Sequence, residues 1–167
     1  RRMADFVTEK NPVLVGVSFG GIIVQEMSRH LDTLKVFIIS SVKSKHELPK
    51  RLRLLKNTKL YKLLPTTVIS NIEEFSVYAF GDLAKKRVEL YKQYHTVRDA
   101  QYLNWAVRNV LYWEREEADQ DTIHIHGSDD QMFPVKHISN CHIIPKGTHV
   151  MILTKAKNIA EIISESV

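Results

Sequence analysis

One serine in the sequence stands in a setting typical of nucleophilic catalysis. Ser18 is the third residue of Gly-Val-Ser-Phe-Gly-Gly at 16–21, which follows an apolar run and opens an amphipathic one. A serine hydroxyl is a weak nucleophile unless a neighbouring base accepts its proton and N–H donors stabilise the oxyanion. A sharp turn from a strand into a helix exposes the side chain and directs N–H groups at the reacting atom. The pattern therefore predicts that Ser18 is a nucleophile rather than a surface serine in a glycine-rich turn.

The glycines around Ser18 have a steric interpretation. Gly16 and Gly20 lie two residues before and two residues after the serine, where a side chain is expected to clash across the tight turn. Gly21 is expected to ease packing of the helix onto the strand.

A base and a residue that orients it are expected later in the chain, in the order serine, acid, histidine. The segment 126–134 reads His-Gly-Ser-Asp-Asp-Gln-Met-Phe-Pro, and 147–149 reads Gly-Thr-His. Asp130 and Asp129 are both candidates for the acid, and His149 is the candidate base. The carboxylate would hold the imidazole in the useful tautomer, and the imidazole would take the serine proton.

Alternating strand and helix patterns position these residues. Apolar, β-branched runs predict buried parallel strands over 13–17, 34–41, 122–127 and 140–147. Helices are predicted over 2–9, over 20–31 with an apolar stripe of Ile23, Met27 and Leu31, and over 157–166. Because open α/β sheets place their sites at the carboxyl ends of the strands, the three candidates are expected to meet at one rim.

Strand character is absent between about 43 and 119. A basic, leucine-punctuated stretch closed by Pro65 and two further helices starting near Asp82 and Asp99 are predicted there. Four aromatic residues cluster near the end of this insertion: Tyr102, Trp105, Tyr112 and Trp113. These either pack the core of the inserted helices or line a substrate pocket.

The three motifs in this order resemble the α/β-hydrolase fold family. The resemblance implies an α/β fold with a mostly parallel sheet, with a partial core at 1–46 and 118–167. It implies that 47–117 is a helical cap over the active site. In the family the acid commonly precedes a proline by four residues, as Asp130 precedes Pro134, which favours Asp130 over Asp129.

The resemblance also assigns the surroundings of Ser18. It implies that the N–H of Phe19 is one oxyanion donor, with Phe19, Gly20 and Met132 at the oxyanion site or the substrate pocket. The family's first strands have no counterpart here, so the fold is expected to be N-terminally truncated by about 60 to 80 residues. The second oxyanion donor is then not in this chain, and the strand before Ser18 is left with an exposed edge.

The resulting functional prediction is a carboxylesterase-like serine hydrolase. It would cleave an ester, thioester or related acyl bond of a small-molecule substrate through an acyl-enzyme, without a cofactor or metal. The alternative is a non-catalytic member of the same fold that binds a ligand or a protein. His124 and His126, together with Asp129 or Asp130, His142 and His149, could also be metal ligands, but their spacing matches no compact metal motif. His126 is expected to help shape the acid loop.

Composition and charge limit the other functional classes. Eight basic residues lie between Lys43 and Lys62 against one acid, Glu47, within a chain of net charge +5. We interpret this stretch as a solvated cap-helix face rather than a nucleic-acid footprint, because aromatic residues do not alternate with the charges. No apolar run approaches the roughly 20 residues that span a bilayer. The single cysteine, Cys141, fits a reducing compartment and a cytoplasmic location, and the oligomeric state stays open, a dimer included.

Overall fold

A computed structural model describes residues 2–58, 100–119 and 121–167. In these residues a parallel sheet has the strand order β1-β2-β3-β4. The strands are β1 (Val13–Val17), β2 (Lys35–Ile39), β3 (Thr122–Gly127) and β4 (His142–Ile144). All four fall inside the segments predicted from the sequence.

The register of the sheet brings the strand ends together at one rim. Val17 pairs with Ile39, Ile39 pairs with Ile125, and Gly127 pairs with Ile144. The loops that follow β1, β3 and β4 carry Ser18, Asp130 and His149, so the parallel arrangement directs all three loops to the same side.

Four α-helices accompany the sheet in the described residues. They are α1 (Phe19–Ser28), α2 (Lys50–Thr58), α3 (Ala100–Leu111) and α4 (Ala156–Ser166). The prediction of a helix over 2–9 is wrong, because only a single 3-10 turn forms there, at Ala4–Phe6. Val7 is already extended and Phe6 is 85% exposed, so the segment buries no apolar stripe that would sustain a longer helix.

Each face of the sheet is covered by an apolar cluster. On one face the core consists of Phe37, Ile39, Ile125, Ile144, Met151 and Ile159. On the other face α1 packs onto the sheet through Leu14, Val24, Val36 and Ile38. β2 contributes residues to both clusters, and β3 contributes Ile125, so the central strands are packed beneath the loops.

The buried face of α1 differs from the predicted one. The predicted stripe of Ile23, Met27 and Leu31 is only half-buried. The structure instead buries Ile22, Val24 and the polar Gln25. Gln25 is tolerated there because its amide Nε2 donates to the carbonyl oxygens of Gly21 and Val42, each at 2.9 Å. This pair of bonds ties the first turn of α1 to the loop after β2.

The strand that precedes Ser18 lies at an edge of the sheet in the described residues. Val15, in the middle of β1, is 46% exposed, which agrees with the exposed edge expected from the sequence.

The segment predicted to be a cap is described only at its two ends. α2 and α3 fall within 47–117 and are in contact with each other. The predicted helix near Asp82 and the residue Asp99 lie outside the described residues, so the cap stays a prediction. No helix in the described part of the chain has both the length and the apolar character needed to cross a membrane.

Candidate active site

Ser18 occupies a strained turn between β1 and α1. Its backbone has φ 54° and ψ −121°, a conformation that costs a non-glycine residue about 1–3 kcal/mol. Three hydrogen bonds hold it there: its N–H donates to the Ile39 carbonyl at 2.9 Å, and its carbonyl accepts from Gly21 N–H at 2.9 Å and from Ser41 Oγ at 2.7 Å. The strain keeps the side chain clear of both the strand and the helix.

The three glycines near Ser18 differ in why they are small. A Cβ on Gly16 would lie 2.3 Å from the Gly20 carbonyl oxygen, and one on Gly21 would lie 2.4 Å from Ser41 Oγ. A Cβ on Gly20 would meet nothing within 4 Å. The expectation that Gly20 must be small to avoid a clash is therefore wrong, because the close approach is to its backbone. Gly21 does allow α1 to pack closely, although its neighbours are on β2 and the loop that follows.

Asp130 lies in a loop that its own carboxylate organises. Oδ1 accepts the N–H groups of Met132 at 2.8 Å and Phe133 at 2.9 Å. Oδ2 accepts from His149 Nδ1 at 2.9 Å. The side chain is fully buried, so both oxygens depend on these donors.

The loop that carries His149 lies directly against the acid loop. A Cβ on Gly127 would be 2.2 Å from the Gly147 carbonyl oxygen, and one on Gly147 would be 2.9 Å from Gly127 Cα. Asp129 N–H donates to that Gly147 carbonyl at 2.8 Å. Two glycines thus permit a backbone approach that brings His149 within reach of the acid.

The structure places Ser18, His149 and Asp130 in one hydrogen-bonded chain. His149 Nε2 is 2.8 Å from Ser18 Oγ, and the Nδ1 of the same ring bonds Asp130 Oδ2. A carboxylate bonded to Nδ1 fixes the proton there, which leaves Nε2 free to accept the serine proton. Asp129, the other sequence candidate, is exposed and accepts a hydrogen bond from Ser128 Oγ.

The environment keeps Asp130 ionised. Burial acts to raise its pKa, but the hydrogen bond and charge of His149 and the N–H of Phe133 outweigh burial and lower the pKa. The carboxylate is therefore charged at neutral pH and accepts from its neighbours.

An apolar cavity of about 350 Å³ borders the turn. It is lined by Met3, Phe19, Ile22, Ile23, Glu26, Met27, Trp105, Asn109 and Trp113. The Phe19 ring meets Trp105 edge to face, with centroids 5.4 Å apart. Glu26 accepts a hydrogen bond from Trp113 Nε1 at 2.9 Å, which satisfies the one carboxylate in the lining. Of the four aromatic residues clustered near the end of the insertion, Trp113 is buried, whereas Trp105, Tyr102 and Tyr112 are exposed.

The other residues predicted near the site are in contact with it through the backbone. Met132 packs against the cluster of Ile22, Leu48 and Phe133, and its N–H bonds Asp130. As the first residue of α1, Phe19 has an N–H with no carbonyl one turn earlier in the helix to accept it.

Much of the basic stretch is paired within the chain. Lys45 pairs with Glu114 and Glu116, and Lys56 also pairs with Glu114. Lys43 is buried, and its ammonium donates to two backbone carbonyls before β4, while Arg51 donates to the carbonyls of Gln131 and Met132. Lys59 and Lys62 lie outside the described residues. In the described ranges no group of three or more His, Cys, Asp or Glu is placed to hold a metal ion.

Sequence reasoning missed three residues that support the site: Ser41, Gly127 and Gly147. The sequence context could have pointed to them, since Ser41 follows a predicted buried strand and each glycine lies beside a candidate site residue's loop. Their partners, however, are distant in the chain, so the sequence did not say what they contact.

Solved structures similar to this one include an α/β hydrolase enzyme and proteins described as a hydrolase and as lipase-esterase related. A lipase-esterase related protein from Clostridium acetobutylicum matches with a TM-score of 0.69 at 19% identity, over 99% of this chain and 72% of that one. A hydrolase from Pseudomonas aeruginosa matches with a TM-score of 0.72 at 13% identity, over 99% and 68%. An α/β hydrolase enzyme from a deep-sea metagenome library matches with a TM-score of 0.64 at 12% identity, over 99% and 68%. No protein-family model and no curated protein sequence matches the chain. The chain thus has the α/β-hydrolase fold.

Proposed function

We propose that the protein is a serine hydrolase that cleaves an acyl bond, such as an ester or thioester, through a covalent acyl-enzyme. Ser18 is the nucleophile, His149 is the general base and then the general acid, and Asp130 orients His149. The observation that carries the proposal is the bonded chain from Ser18 Oγ through His149 to Asp130 Oδ2, at 2.8 Å and 2.9 Å.

The chemistry proceeds in two balanced halves. Ser18 Oγ attacks the acyl carbon while its proton passes to His149 Nε2, and the bond to the leaving group breaks as the leaving group takes that proton. Water then attacks the acyl carbon, gives a proton to His149 and releases the acid, and Ser18 Oγ recovers its proton. Asp130 remains a carboxylate throughout and stabilises the imidazolium in both halves.

The oxyanion that forms in each half requires N–H donors. The N–H of Phe19 is one donor, because Phe19 is the first residue of α1 and has no carbonyl one turn earlier in the helix to accept its amide. The mild positive potential of a helix N-terminus adds to this stabilisation.

The substrate is proposed to be apolar and of modest size. The cavity beside Phe19 has a volume near the lower end of those that hold small ligands, and its walls are mostly aliphatic and aromatic. The name of one structural neighbour, a lipase-esterase related protein, supports an ester rather than an amide.

A fluorophosphonate probe tests the proposal, because it reacts only with a serine that is activated as a nucleophile. We expect the probe to label the protein and peptide mapping to place the label on Ser18. Ser18→Ala is expected to abolish labelling, and Ser164→Ala, at an exposed position on α4, is expected to leave it intact. The rate of hydrolysis of p-nitrophenyl acetate and butyrate is a second, independent measurement of activity.

Folded protein that is neither labelled nor able to hydrolyse these esters would overturn the proposal. That result favours the alternative, a member of the fold that binds a ligand or protein without turnover. Labelling that survives Ser18→Ala would instead locate the nucleophile elsewhere.

A further inference from the structure

Two buried histidines on β3 lie close to the acid loop but have no part in the proposed chemistry. His124 and His126 are 1% and 0% exposed, and they point to the same side of the strand because they are two residues apart. Their rings meet edge to face, with centroids 4.9 Å apart. Burying an imidazole costs free energy when its nitrogens lack hydrogen-bond partners. The partners of the ring nitrogens therefore indicate which nitrogen carries the proton.

The partners of His126 determine its tautomer. Nε2 is 2.8 Å from the Phe133 carbonyl oxygen, which can only accept, so Nε2 carries a proton. Nδ1 is 3.1 Å from His124 Nε2, which acts as the donor to it. Burial, the largest cause, lowers the pKa of His126 despite the nearby charge of Asp130, so the ring is neutral at neutral pH and Nδ1 accepts.

Phe133 connects His126 to the acid. Its carbonyl accepts from His126, and its N–H donates to Asp130 Oδ1 at 2.9 Å. With Oδ1 taken by the two loop amides, Oδ2 is left to His149. The Phe133 ring also meets the His149 ring at a centroid distance of 5.5 Å. One residue therefore contacts His126, the acid and the base.

His126 does not compete with His149 for the carboxylate. Its Nε2 is 3.6 Å from Asp130 Oδ2, beyond a hydrogen bond, whereas His149 Nδ1 is at 2.9 Å. The single proton on His126 Nε2 is already directed at Phe133.

We infer that His126 is a positioning residue, which holds the Phe133 carbonyl from β3 so that the acid loop presents Asp130 Oδ2 to His149. In its kinetic consequences this inference rests on the proposed function. The contact itself, between Asp130 and His149, is measurable whether or not the protein turns over a substrate.

Two substitutions of similar polarity separate this role from simple packing. His126→Gln places an amide N–H near the position of Nε2, so the bond to Phe133 is retained. His126→Asn is too short to reach that carbonyl and leaves it unbonded. His124→Asn is the matched control, because it also removes a buried imidazole from the same face of β3 but leaves the Phe133 bond in place.

The first measurement is the state of the His149 ring, by 15N chemical shifts of its nitrogens and by the low-field signal of the Nδ1 proton. We expect wild type, His126→Gln and His124→Asn to show a proton on Nδ1 that is bonded and slow to exchange. In His126→Asn we expect that signal to broaden or move upfield as the acid loop loosens. Asp130→Asn identifies the signal that depends on the carboxylate.

The second measurement is kinetic. His126→Asn is expected to lower kcat about 10- to 100-fold with little change in KM, since displacements near 1 Å cost about that much in rate. His126→Gln is expected to recover most of this loss. A role in packing alone predicts that both variants lose stability to a similar degree without changing the His149 signal.

Three outcomes overturn the inference. One is a 15N spectrum of the wild-type protein that places the His126 proton on Nδ1. This test needs no variant, so it remains decisive even if His126→Asn does not fold. Another is a His149 signal unchanged in folded His126→Asn, and the third is an equal effect of His124→Asn. Failure of the proposed function looks different, since wild type would then lack labelling and turnover while the NMR signals still follow the His126 substitutions.

Discussion

Replacing Gly16 by alanine tests whether the turn at Ser18 depends on backbone contact. The added Cβ would lie 2.3 Å from the Gly20 carbonyl oxygen, about 0.7 Å short of the 3.0 Å that real Cβ atoms keep. It would also lie 2.5 Å from Gly20 C and 2.7 Å from Gly21 N. Because all three atoms are backbone at the start of α1, no side chain can rotate away, and the helix itself has to shift relative to β1.

The size of the effect follows from that shift. Overpacking of this kind typically costs about 1–3 kcal/mol, and contact with backbone on a packed helix favours the upper part of that range. With an m-value of about 2 kcal/mol/M in urea, a loss near 2 kcal/mol lowers the denaturation midpoint by about 1 M. The same shift lengthens the 2.8 Å contact between Ser18 Oγ and His149 Nε2, so we expect a fall in kcat of roughly 10- to 100-fold.

Gly20→Ala is the matched control, on the same turn and with the same added methyl group. Its Cβ meets nothing within 4 Å, and alanine gains up to about 1 kcal/mol over glycine in a helix. Urea denaturation of the two variants beside wild type should therefore move the midpoints in opposite directions. If the free energy of unfolding of Gly16→Ala is within about 0.5 kcal/mol of wild type, or if both variants lose stability equally, backbone contact is not what requires glycine at position 16.

Three further substitutions have defined outcomes. Ser18→Gly should unfold about 1 kcal/mol less readily than Ser18→Ala in urea, because glycine relieves the positive φ that alanine retains; equal stabilities would show that the turn is not strained. Asp130→Asn should lower kcat by about 10⁴-fold through the wrong His149 tautomer, whereas the exposed Asp129→Asn should stay within about two-fold; the reverse order in ester-hydrolysis assays would reassign the acid. Burial, followed by the charge of the neighbouring histidine, lowers the pKa of His124 from 6.5 to about 3, so the unfolded chain binds a proton between these values that the folded chain does not. Stability is therefore lost as pH falls from about 6.5 to 3, with up to about 1.4 kcal/mol per pH unit from this group, and His124→Leu should flatten that slope in urea denaturation at pH 7, 5.5 and 4.5.

The strands and the site loops were predictable because their signals are local. A β-branched, apolar run such as Val13–Val17 strongly favours a buried strand, and the glycine-rich residues after it predict the turn. The order serine, acid, histidine gave the three candidates, and the parallel order of the strands then required their loops to share a rim.

Helix faces were less predictable because a helix buries whatever its neighbours accommodate. Gln25 reads as a solvent-facing residue from its polarity, yet it is fully buried. Its burial depends on the carbonyl of Val42, which reaches α1 only after β2 has folded alongside it. The helix predicted over 2–9 does not form for a related reason, since its two large apolar residues, Met3 and Phe6, remain exposed.

Steric demands around the turn were only partly readable. The sequence indicated that glycines bracket Ser18, but only Gly16 and Gly21 lie where a Cβ would clash, and Gly20 does not. Sequence spacing does not say which atoms face each other. The approach of Gly127 to Gly147 joins two loops that follow different strands, and it has no signature in either loop alone.

By itself the sequence determined the residue types capable of the chemistry, the strands that carry them and the side of the sheet on which they end. Tertiary structure alone decided how Phe133 links Asp130 to His126 and which glycines are compelled to be small. The reason is the sequence separation over which each effect acts, because alternation, β-branching and turn chemistry act between near neighbours in the chain. Hydrogen bonds and close backbone contacts between loops exist only once the sheet has brought distant segments within about 3 Å of each other.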